Sequence, residues 1–297
     1  GGQLCLLDQE ELIMPYDYIK RERIDFWYSV PTLVSFMYKM GYLLPNSFPS
    51  LKYSVFSGEA LPKRLCDAWQ EAAPNCTIEN YYGPTEATVN TTRFLYKKEF
   101  KNRSFNNDIL PIGNIFDGHS FALVDNDLNR VKNGEKGHLL IKGKQLAKGY
   151  INNIKKTQEA FRKIPWDNSN ELWYLTGDLA FVNSFDEIEF IGRIDNQLKI
   201  AGRRVELGEI EGAILKCNLI KDIVIVPKKN SDGTVTSLIG FTTTKVTNDV
   251  LKNINQSALE FIEKLFIPKK IIFIDKMPLT SSGKTDRKVL FEIAKDL

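Results

Sequence analysis

The first 86 residues alternate between strand-like and helix-like runs, and this alternation limits the possible folds more than any other feature. Apolar, β-branched and aromatic residues form strand-like runs at 24–30, 51–56 and 76–80. Helical periodicity lies between them, at residues 32–43 and 60–72. The alternation predicts a parallel sheet built from βαβ units. Ligands of such sheets bind beyond the carboxyl ends of the strands, which directs attention to residues 57–59 and 81–86.

The character of the sequence changes after the polar stretch at residues 97–108. Short strand-like runs with Gly- and Asn-rich turns follow, which predict an antiparallel β subdomain shaped as a distorted barrel or sandwich. Strand and helix patterns return near residue 195. We therefore predict an α/β fold in three parts: the remainder of a parallel αβ subdomain at 1–106, a distorted antiparallel β subdomain at 107–194, and a small C-terminal α/β domain at 195–297 joined by a hinge.

Composition excludes several classes of function. The 297 residues carry 40 Lys and Arg against 37 Asp and Glu, and the two signs are interleaved, so we expect no nucleic-acid partner. The longest apolar runs fall far short of the roughly 18 to 20 residues of a membrane span. The four cysteines have neither disulfide nor zinc spacing, which favours buried thiols in a cytoplasmic protein. The chain has only two histidines, which disfavours a Ser-His-Asp triad or a multi-histidine metal site. Any catalysis would therefore depend on Lys, Asp, Glu, Thr and the backbone.

Two short segments carry candidate chemistry. Residues 281–285 (SSGKT) end like a phosphate loop, but Pro278 stands where that loop needs its first glycine, so a solvent-facing turn is the simpler interpretation. Residues 82–86 (YGPTE) combine an aromatic face, a tight turn, a hydroxyl and a carboxylate. These are the parts needed to stack a base, approach a phosphate and hold Mg²⁺. Alone, the segment is equally compatible with a structural turn.

The order and spacing of these segments carry more information than each segment alone. Together they resemble the adenylate-forming superfamily, specifically its amino-acid adenylation enzymes: nonribosomal peptide synthetase adenylation domains and D-alanine carrier protein ligases. Five motifs occur in the family's order, namely NYYGPTE (80–86), GHLLIKGKQLAKGY (137–150), YLTGDL (174–179), GRIDNQLKIAGRRVELGEIE (192–211) and PLTSSGKTDRKVL (278–290). Two positions depart from the family pattern, with His138 in place of Glu and Leu175 in place of Arg.

The resemblance implies a binding site for ATP and AMP. Tyr82 would stack on adenine, and Asn80 would lie near its exocyclic amine. Gly83 belongs to the turn that approaches the nucleotide. Asp178 would accept the ribose hydroxyls, and Arg193 would help to fix the ribose.

The implied catalytic residues are Thr85, Glu86 and Lys284. Thr85 would contact the α-phosphate, and Glu86 would bind Mg²⁺, which prefers oxygen ligands. Lys284 would bridge the substrate carboxylate and the nucleotide, stabilising charge while the carboxylate attacks the α-phosphorus and pyrophosphate leaves. The implied reaction is therefore ATP-dependent formation of an aminoacyl-adenylate.

The resemblance also implies a second half-reaction, in which the aminoacyl group passes to the phosphopantetheine thiol of a carrier protein. Asp195 would be the hinge about which the C-terminal domain rotates. That rotation would withdraw Lys284 and bring the segment containing Lys199 and Gly202 to the tunnel for the thiol.

Only part of a substrate pocket can be carried over from the family. Its implied positions, in addition to Lys284 at the substrate carboxylate, are Thr32, Val55, Ser57, Tyr81, Val89 and Asn90. None of these six is charged, and a charged substrate side chain would be left without a partner, which is costly. We therefore expect a neutral amino acid, and Tyr81 in the pocket favours a small one.

The family's Ser/Thr/Gly-rich phosphate loop is missing from this sequence, so we interpret the chain as the C-terminal part of a longer ligase. Two alternatives stay open: an acyl- or aryl-CoA ligase of the same superfamily, and a non-catalytic fragment that binds the carrier protein. We also expect exposed apolar surface around Phe26, Trp27 and Phe56, where a sheet would lack its neighbours.

Overall fold

The computed structural model describes residues 2–194, 197–230, 235–280, 285–295 and 297. The chain divides into two units, Gly1–Asp195 and Asn196–Leu297, each with its own hydrophobic core. Within the described residues, no helix combines the length and the apolar character needed to cross a membrane. The expectation of buried thiols is met by Cys66 and Cys76, whereas Cys5 and Cys217 are only partly buried.

The first sheet of unit 1 is parallel in its first three strands, as predicted, and antiparallel beyond them. Its strands run in the order β1 (Phe26–Ser29), β2 (Tyr53–Ser57), β3 (Thr77–Tyr82), β4 (Thr92–Tyr96) and β5 (Asn114–Ile115). The helices of this part are α1 (Gln9–Ile13), α2 (Tyr16–Arg21), α3 (Pro31–Lys39) and α4 (Lys63–Ala72). The parallel connections through α3 and α4 explain the alternation seen in the sequence.

The first sheet has one covered face and one open face. Apolar side chains of α3 and α4 pack against the covered face, where Trp69 of α4 meets Phe56 edge-on at 5.3 Å between ring centroids. The expectation that Trp27 and Phe56 are exposed is wrong: they are 8% and 0% exposed, because strand alternation turns them towards the helices. Phe26, on the opposite face, is 55% exposed, as expected. We call that side the open face, formed by Phe26, Tyr28, Tyr53, Val55, Glu79, Tyr81 and Leu95.

The second sheet of unit 1 is antiparallel throughout. Its strands are β6 (His119–Val124), β7 (Gly137–Gly143), β8 (Phe161–Arg162), β9 (Trp173–Val182) and β10 (Ile188–Arg193), in the order β10-β9-β7-β6 with β8 on β9; helix α5 spans Ile154–Ala160. The core on one side of this sheet includes Tyr82 of the first sheet, packed with Leu139, Ile141 and Ala180. The end of β3 is thereby fixed against the second sheet.

Unit 2 begins with a hairpin of β11 (Gln197–Ile200) and β12 (Arg203–Glu206). A three-stranded sheet follows, with strands β13 (Val224–Lys229), β14 (Val235–Thr242) and β15 (Lys270–Phe273) and helices α6 (Leu207–Leu215), α7 (Asn248–Ala258) and α8 (Arg287–Lys295). Helices α6 and α7 share one core with Ile225 and Leu238. Helix α8 shares the other core with Val224 and Phe241, so the sheet is covered on both faces.

Candidate functional site

The strand β3 ends in a tight turn that contains most of the YGPTE segment. A short 3-10 helix, Thr85–Ala87, follows, and then Thr88 and Val89 take left-handed backbone conformations with φ of 53° and 72°. An ideal Cβ at Gly83 would lie 2.5 Å from the Val89 carbonyl oxygen. The turn therefore requires glycine at this position, because the obstructing atom belongs to the backbone.

Tyr82, Asp178 and Arg193 meet below this turn. The Tyr82 hydroxyl donates a hydrogen bond to Asp178, and Arg193 Nη1 donates to the other oxygen of the same carboxylate at 2.8 Å. Asp178 and Arg193 are register partners on β9 and β10, which places guanidinium and carboxylate opposite each other. Burial and the neighbouring Asp178 charge raise the pKa of Tyr82 well above its ordinary value, so the phenol remains a neutral donor.

Asn80 lies two residues before Tyr82 and is 2% exposed. Its amide nitrogen donates to the Pro111 carbonyl at 2.8 Å, but its side-chain oxygen has no hydrogen-bond partner among the described residues. A buried amide oxygen without a partner is costly, unless a bound ligand donates to it. An exocyclic amine, such as that of adenine, has the required chemistry.

Glu86 is held in place by the loop that precedes α5. Its Oε1 accepts a hydrogen bond from the Tyr150 hydroxyl at 2.6 Å, and its backbone carbonyl accepts one from Ala147 at 2.8 Å. Thr88 and Gln145 join the same two segments through reciprocal bonds of 2.7 and 3.1 Å. The Glu86 carboxylate, only 7% exposed by residue, is thus tied to the GKQLAKGY segment, while Thr85 beside it is exposed.

The fit of the site to Mg²⁺ follows from this arrangement. Among the described residues, no group of three or more His, Cys, Asp or Glu side chains is placed to hold a metal ion. Mg²⁺ in nucleotide enzymes is commonly bound by one or two carboxylates together with substrate phosphates. A single anchored carboxylate beside the turn, that of Glu86, fits this mode of binding.

The expected pocket residues are only partly brought together. Ser57 and Tyr81 are register partners on β2 and β3, and Val55 lies on the same face. The Ser57 hydroxyl donates to Asn90 Oδ1 at 2.9 Å, and Asn90 Nδ2 donates to the Tyr28 hydroxyl at 3.3 Å. Thr32 is bonded elsewhere, through its backbone N–H at 3.0 Å and its hydroxyl at 2.5 Å to Glu59, and Val89 is 61% exposed.

Glu79 is a buried acid that the sequence interpretation passed over. It is 3% exposed and lies on the open face, in register with Val55 and two residues before Tyr81. One carboxylate oxygen is 3.7 Å from Arg93 Nη1, and the other has no hydrogen-bond partner among the described residues. Burial and the nearby Glu79 carboxylate raise the pKa of Tyr81. An acidic residue within a strand-like run is the available signal, because glutamate is depleted in strands.

The two departures from the family motifs share one cleft. His138 and Leu175 both line a cleft of about 370 Å³ on unit 1, together with Asn126 and Arg162. A ring nitrogen of His138 lies 2.9 Å from Asn126 Oδ1. The places of a family Glu and a family Arg are therefore taken by a hydrogen-bonded imidazole and an apolar side chain in a common environment.

The remaining implied residues belong to the hinge, the catalytic lysine loop and the thioester segment. Asp195 and Lys284 lie outside the described residues. Lys199 lies on β11, and Gly202 lies in the two-residue turn that joins β11 to β12, where its φ is 77°. Positive φ at both turn residues is typical of tight hairpins.

Comparison with known proteins identifies the family. The sequence model described as "AMP-binding enzyme" matches residues 1–151, and that described as "AMP-binding enzyme C-terminal domain" matches residues 209–284. The chain belongs to the AMP-binding enzyme family.

Similar curated proteins include D-alanine--D-alanyl carrier protein ligases. That of Lacticaseibacillus casei strain BL23 is 32% identical over 277 residues, covering 89% of this chain and 52% of the relative. That of Staphylococcus aureus strain Newman is 33% identical over 301 residues, covering 99% of this chain and 58% of the relative. The chain therefore spans about half the length of the curated relatives it matches.

A solved structure with the same fold is the Vibrio cholerae adenylation domain AlmE in complex with glycyl-adenosine-5'-phosphate. It superimposes with a TM-score of 0.85 at 29% identity, covering 98% of this chain and 53% of that one. The structure of holo-PA1221, with a TM-score of 0.76 at 24% identity, supports the fold alone. The predicted superfamily and α/β fold class are confirmed.

Proposed function

We propose that this chain serves ATP-dependent activation of an amino acid and its transfer to a carrier protein. The observation that carries the proposal is the buried set of Asn80, Tyr82, Asp178 and Arg193, in which the Asn80 amide oxygen has no protein partner among the described residues. Adenine offers an exocyclic amine to Asn80 and an aromatic ring to Tyr82, and ribose offers hydroxyl donors to Asp178. Membership of the AMP-binding enzyme family supports the same conclusion.

In the proposed complex, adenine stacks on Tyr82 and donates its amine to Asn80. Asp178 accepts from the ribose hydroxyls, and Arg193 holds the carboxylate in position through the bond of 2.8 Å. Because the same carboxylate accepts the Tyr82 hydroxyl, one group orients both the aromatic ring and the ribose. Gly83 leaves the turn free of a side chain where the phosphates approach.

The first half-reaction is proposed to use Thr85, Glu86 and Lys284. A carboxylate oxygen of the amino acid attacks the α-phosphorus, the bond from that phosphorus to the bridging oxygen breaks, and pyrophosphate leaves with the electron pair. Thr85 contacts the α-phosphate, and Lys284 stabilises the charge that develops between carboxylate and nucleotide. Glu86 would hold Mg²⁺, which supplies charge neutralisation at the phosphates when bound.

The second half-reaction is proposed to follow rotation of the C-terminal domain about Asp195. The thiol sulfur of a carrier-bound phosphopantetheine attacks the adenylate carbonyl, AMP leaves, and the thiol proton is released. Lys199 and Gly202 belong to the segment that would guide the thiol. Two relatives are carrier protein ligases by name, which supports a carrier protein as the partner.

The proposed substrate is a small, neutral amino acid. The side chain of Tyr81 and the hydrogen-bonded side chains of Ser57, Asn90 and Tyr28 would occupy space on the face where the substrate would lie. The relatives activate D-alanine by name, and AlmE was solved with a glycyl-adenylate. D-alanine and glycine are accordingly the first substrates to test.

The test is exchange of labelled pyrophosphate into ATP with a panel of amino, fatty and aryl acids, on this chain and on a form extended at its N-terminus. In the extended form we expect exchange with D-alanine or glycine and none with the other acids. Exchange only with fatty or aryl acids would favour an acyl- or aryl-CoA ligase. Carrier binding without exchange in either form would favour the non-catalytic fragment.

A variant of the ribose acceptor sharpens this test. Asp178→Asn should raise the KM for ATP about 10-fold or more, because hydrogen bonds to a charged group are worth roughly 1.5 to 3 kcal/mol. The KM for the amino acid should be unchanged. Asp117→Asn, at an exposed turn of the same unit, is the matched control. Equal ATP affinity in both variants would contradict the assignment of Asp178.

A further inference from the structure

Arg287, the first residue of α8, is bound at three points by other elements of unit 2. Its Nη2 donates to both oxygens of Glu211 on α6, at 2.8 and 2.9 Å, and its Nη1 donates to the Ile225 carbonyl on β13 at 2.7 Å. Glu211 also accepts the Ile225 N–H at 2.8 Å. A guanidinium, a carboxylate and a single residue of β13 therefore form a closed ring that joins α6, β13 and α8.

The burial of this ring distinguishes it from the surface ion pairs of the same unit. The Arg287 and Glu211 side chains are 27% and 14% exposed, whereas Lys295 and Glu292 of α8 pair at 51% and 67% exposure. Exposed pairs contribute little to stability, but a mostly buried guanidinium whose two terminal nitrogens donate to a carboxylate and to a backbone carbonyl has a defined geometry. Lysine cannot reproduce the planar fork of arginine.

The ring lies next to the segment that contains Lys284. The Asp286 N–H donates to the Pro278 carbonyl at 2.8 Å, and Leu279 and Thr285 form an isolated antiparallel bridge. The two ends of residues 278–286 are thereby fastened together, one residue before Arg287. Residues 281–284 lie outside the described part of the chain.

We infer that Arg287, through Glu211 and Ile225, is a positioning residue for Lys284 in adenylate formation. This inference rests on the role proposed above for Lys284. A catalytic lysine on a long side chain depends on the backbone that carries it, and a displacement of about 1 Å can reduce the rate about 100-fold. The ring fixes the start of α8 against two other elements, three residues after Lys284 in the chain.

The inference is tested with a double-mutant cycle of Arg287→Lys and Lys284→Ala. Arg287→Lys should reduce kcat for adenylate formation about 10- to 100-fold, leave the KM for ATP nearly unchanged, and spare thioester transfer from preformed adenylate. In the Lys284→Ala background, Arg287→Lys should add no further loss. A full additional loss there would show a merely structural effect and overturn the inference.

Two further measurements complete the test. Glu211→Gln should reproduce the Arg287→Lys pattern, and Lys295→Gln, which removes an exposed ion pair of the same helix, should behave as wild type. Hydrogen exchange of the full chain should be faster in residues 285–290 of Arg287→Lys and unchanged in β14. Unchanged exchange throughout would overturn the anchoring role. If wild type forms no adenylate in the form extended at its N-terminus, the proposed function fails, and hydrogen exchange still decides whether the ring anchors the start of α8.

Discussion

Gly83 is the point at which the turn after β3 tolerates no side chain. Its Cβ position lies 2.5 Å from a carbonyl oxygen and 2.9 Å from the Thr91 nitrogen, both backbone atoms. Gly83→Ala should therefore displace the turn and lower the free energy of unfolding of unit 1 by about 1 to 3 kcal/mol. The measurement is urea unfolding followed by far-ultraviolet circular dichroism, because all four tryptophans lie in unit 1 and would not report on a control in unit 2.

The matched control for Gly83 is a glycine with open space around it. Gly212 lies within α6, and nothing lies within 4 Å of its Cβ position. Gly212→Ala should be neutral or stabilising by up to about 1 kcal/mol, because alanine is the better helix former. Wild-type stability in Gly83→Ala would show that the turn adapts more readily than the geometry indicates.

Tyr150 is the residue through which the second sheet orients the proposed metal ligand. Its hydroxyl donates to Glu86 at 2.6 Å. Tyr150→Phe removes this bond and keeps the ring, so the concentration of Mg²⁺ that gives half-maximal pyrophosphate exchange should rise about 10-fold. Tyr38→Phe, at a 43% exposed tyrosine of α3, is the control. An unchanged Mg²⁺ requirement in Tyr150→Phe would argue against Glu86 as the metal ligand.

Local motifs could be predicted from the sequence, but the contacts between them could not. The NYYGPTE and YLTGDL segments were identified separately, yet the Tyr82 hydroxyl and Asp178 are 96 residues apart in the chain. Their contact depends on how the second sheet packs against the end of β3. The same holds for Tyr150, which reaches Glu86 across 64 residues. Side-chain partners at such separations are set by tertiary packing, which a periodicity argument does not include.

At the scale of secondary-structure elements, Asp222 joins the start of β13 to the end of β14. Its carboxylate accepts hydrogen bonds from the Thr242 hydroxyl at 3.0 Å and from the Thr243 N–H and hydroxyl at 2.8 and 2.6 Å. Burial raises the pKa of Asp222, but the hydrogen bonds from Thr243 and Thr242 together lower it by more. The net shift of the pKa is therefore downward. The ionised form is therefore favoured in the folded state.

Asp222→Asn should make the free energy of unfolding of unit 2 less dependent on pH in the acidic range. A lowered pKa contributes stability that is present above the unfolded value of about 4 and lost as pH falls through the folded value. The substitution should thus reduce the free energy of unfolding at pH 7 by on the order of 1 to 2 kcal/mol. The difference from wild type should shrink below about pH 4. Denaturant unfolding at pH 7 and pH 3 measures this, with exposed Glu260→Gln as the control.

Most strands and helices could be predicted from periodicity, and the deviations have physical causes. The sequence predicts only short strands in this part of the chain, yet β9 extends over the ten residues Trp173–Val182. Gly177 has a φ of 75° and lies where the pairing of β7 with β9 shifts register, so the strand continues through a bulge. That irregularity immediately precedes Asp178 and is invisible to a pattern of period two.

At the scale of the whole molecule, the two units differ in how many faces of their sheets are covered by helices. The three-stranded sheet of unit 2 is covered on both faces by helices, whereas the first sheet of unit 1 is covered on one. Phe26, Tyr28 and Leu95 on the open face are 55%, 46% and 41% exposed. Exposed apolar side chains of this kind promote association between molecules. The buried carboxyl group of Glu79 lies within the same face, and one of its oxygens has no hydrogen-bond partner among the described residues.

The open face should therefore govern the self-association of this chain. Phe26→Asp combined with Leu95→Lys replaces two exposed apolar side chains by charges of opposite sign, which leaves the net charge at +3. Sedimentation velocity over a range of protein concentrations should show association in the wild type and a smaller sedimentation coefficient at high concentration in the double variant. Ile151→Ser, which removes a 91% exposed apolar side chain elsewhere on unit 1, should associate like the wild type. If Ile151→Ser reduced association as strongly as the double variant, general surface hydrophobicity would govern it, and the open face would have no special part.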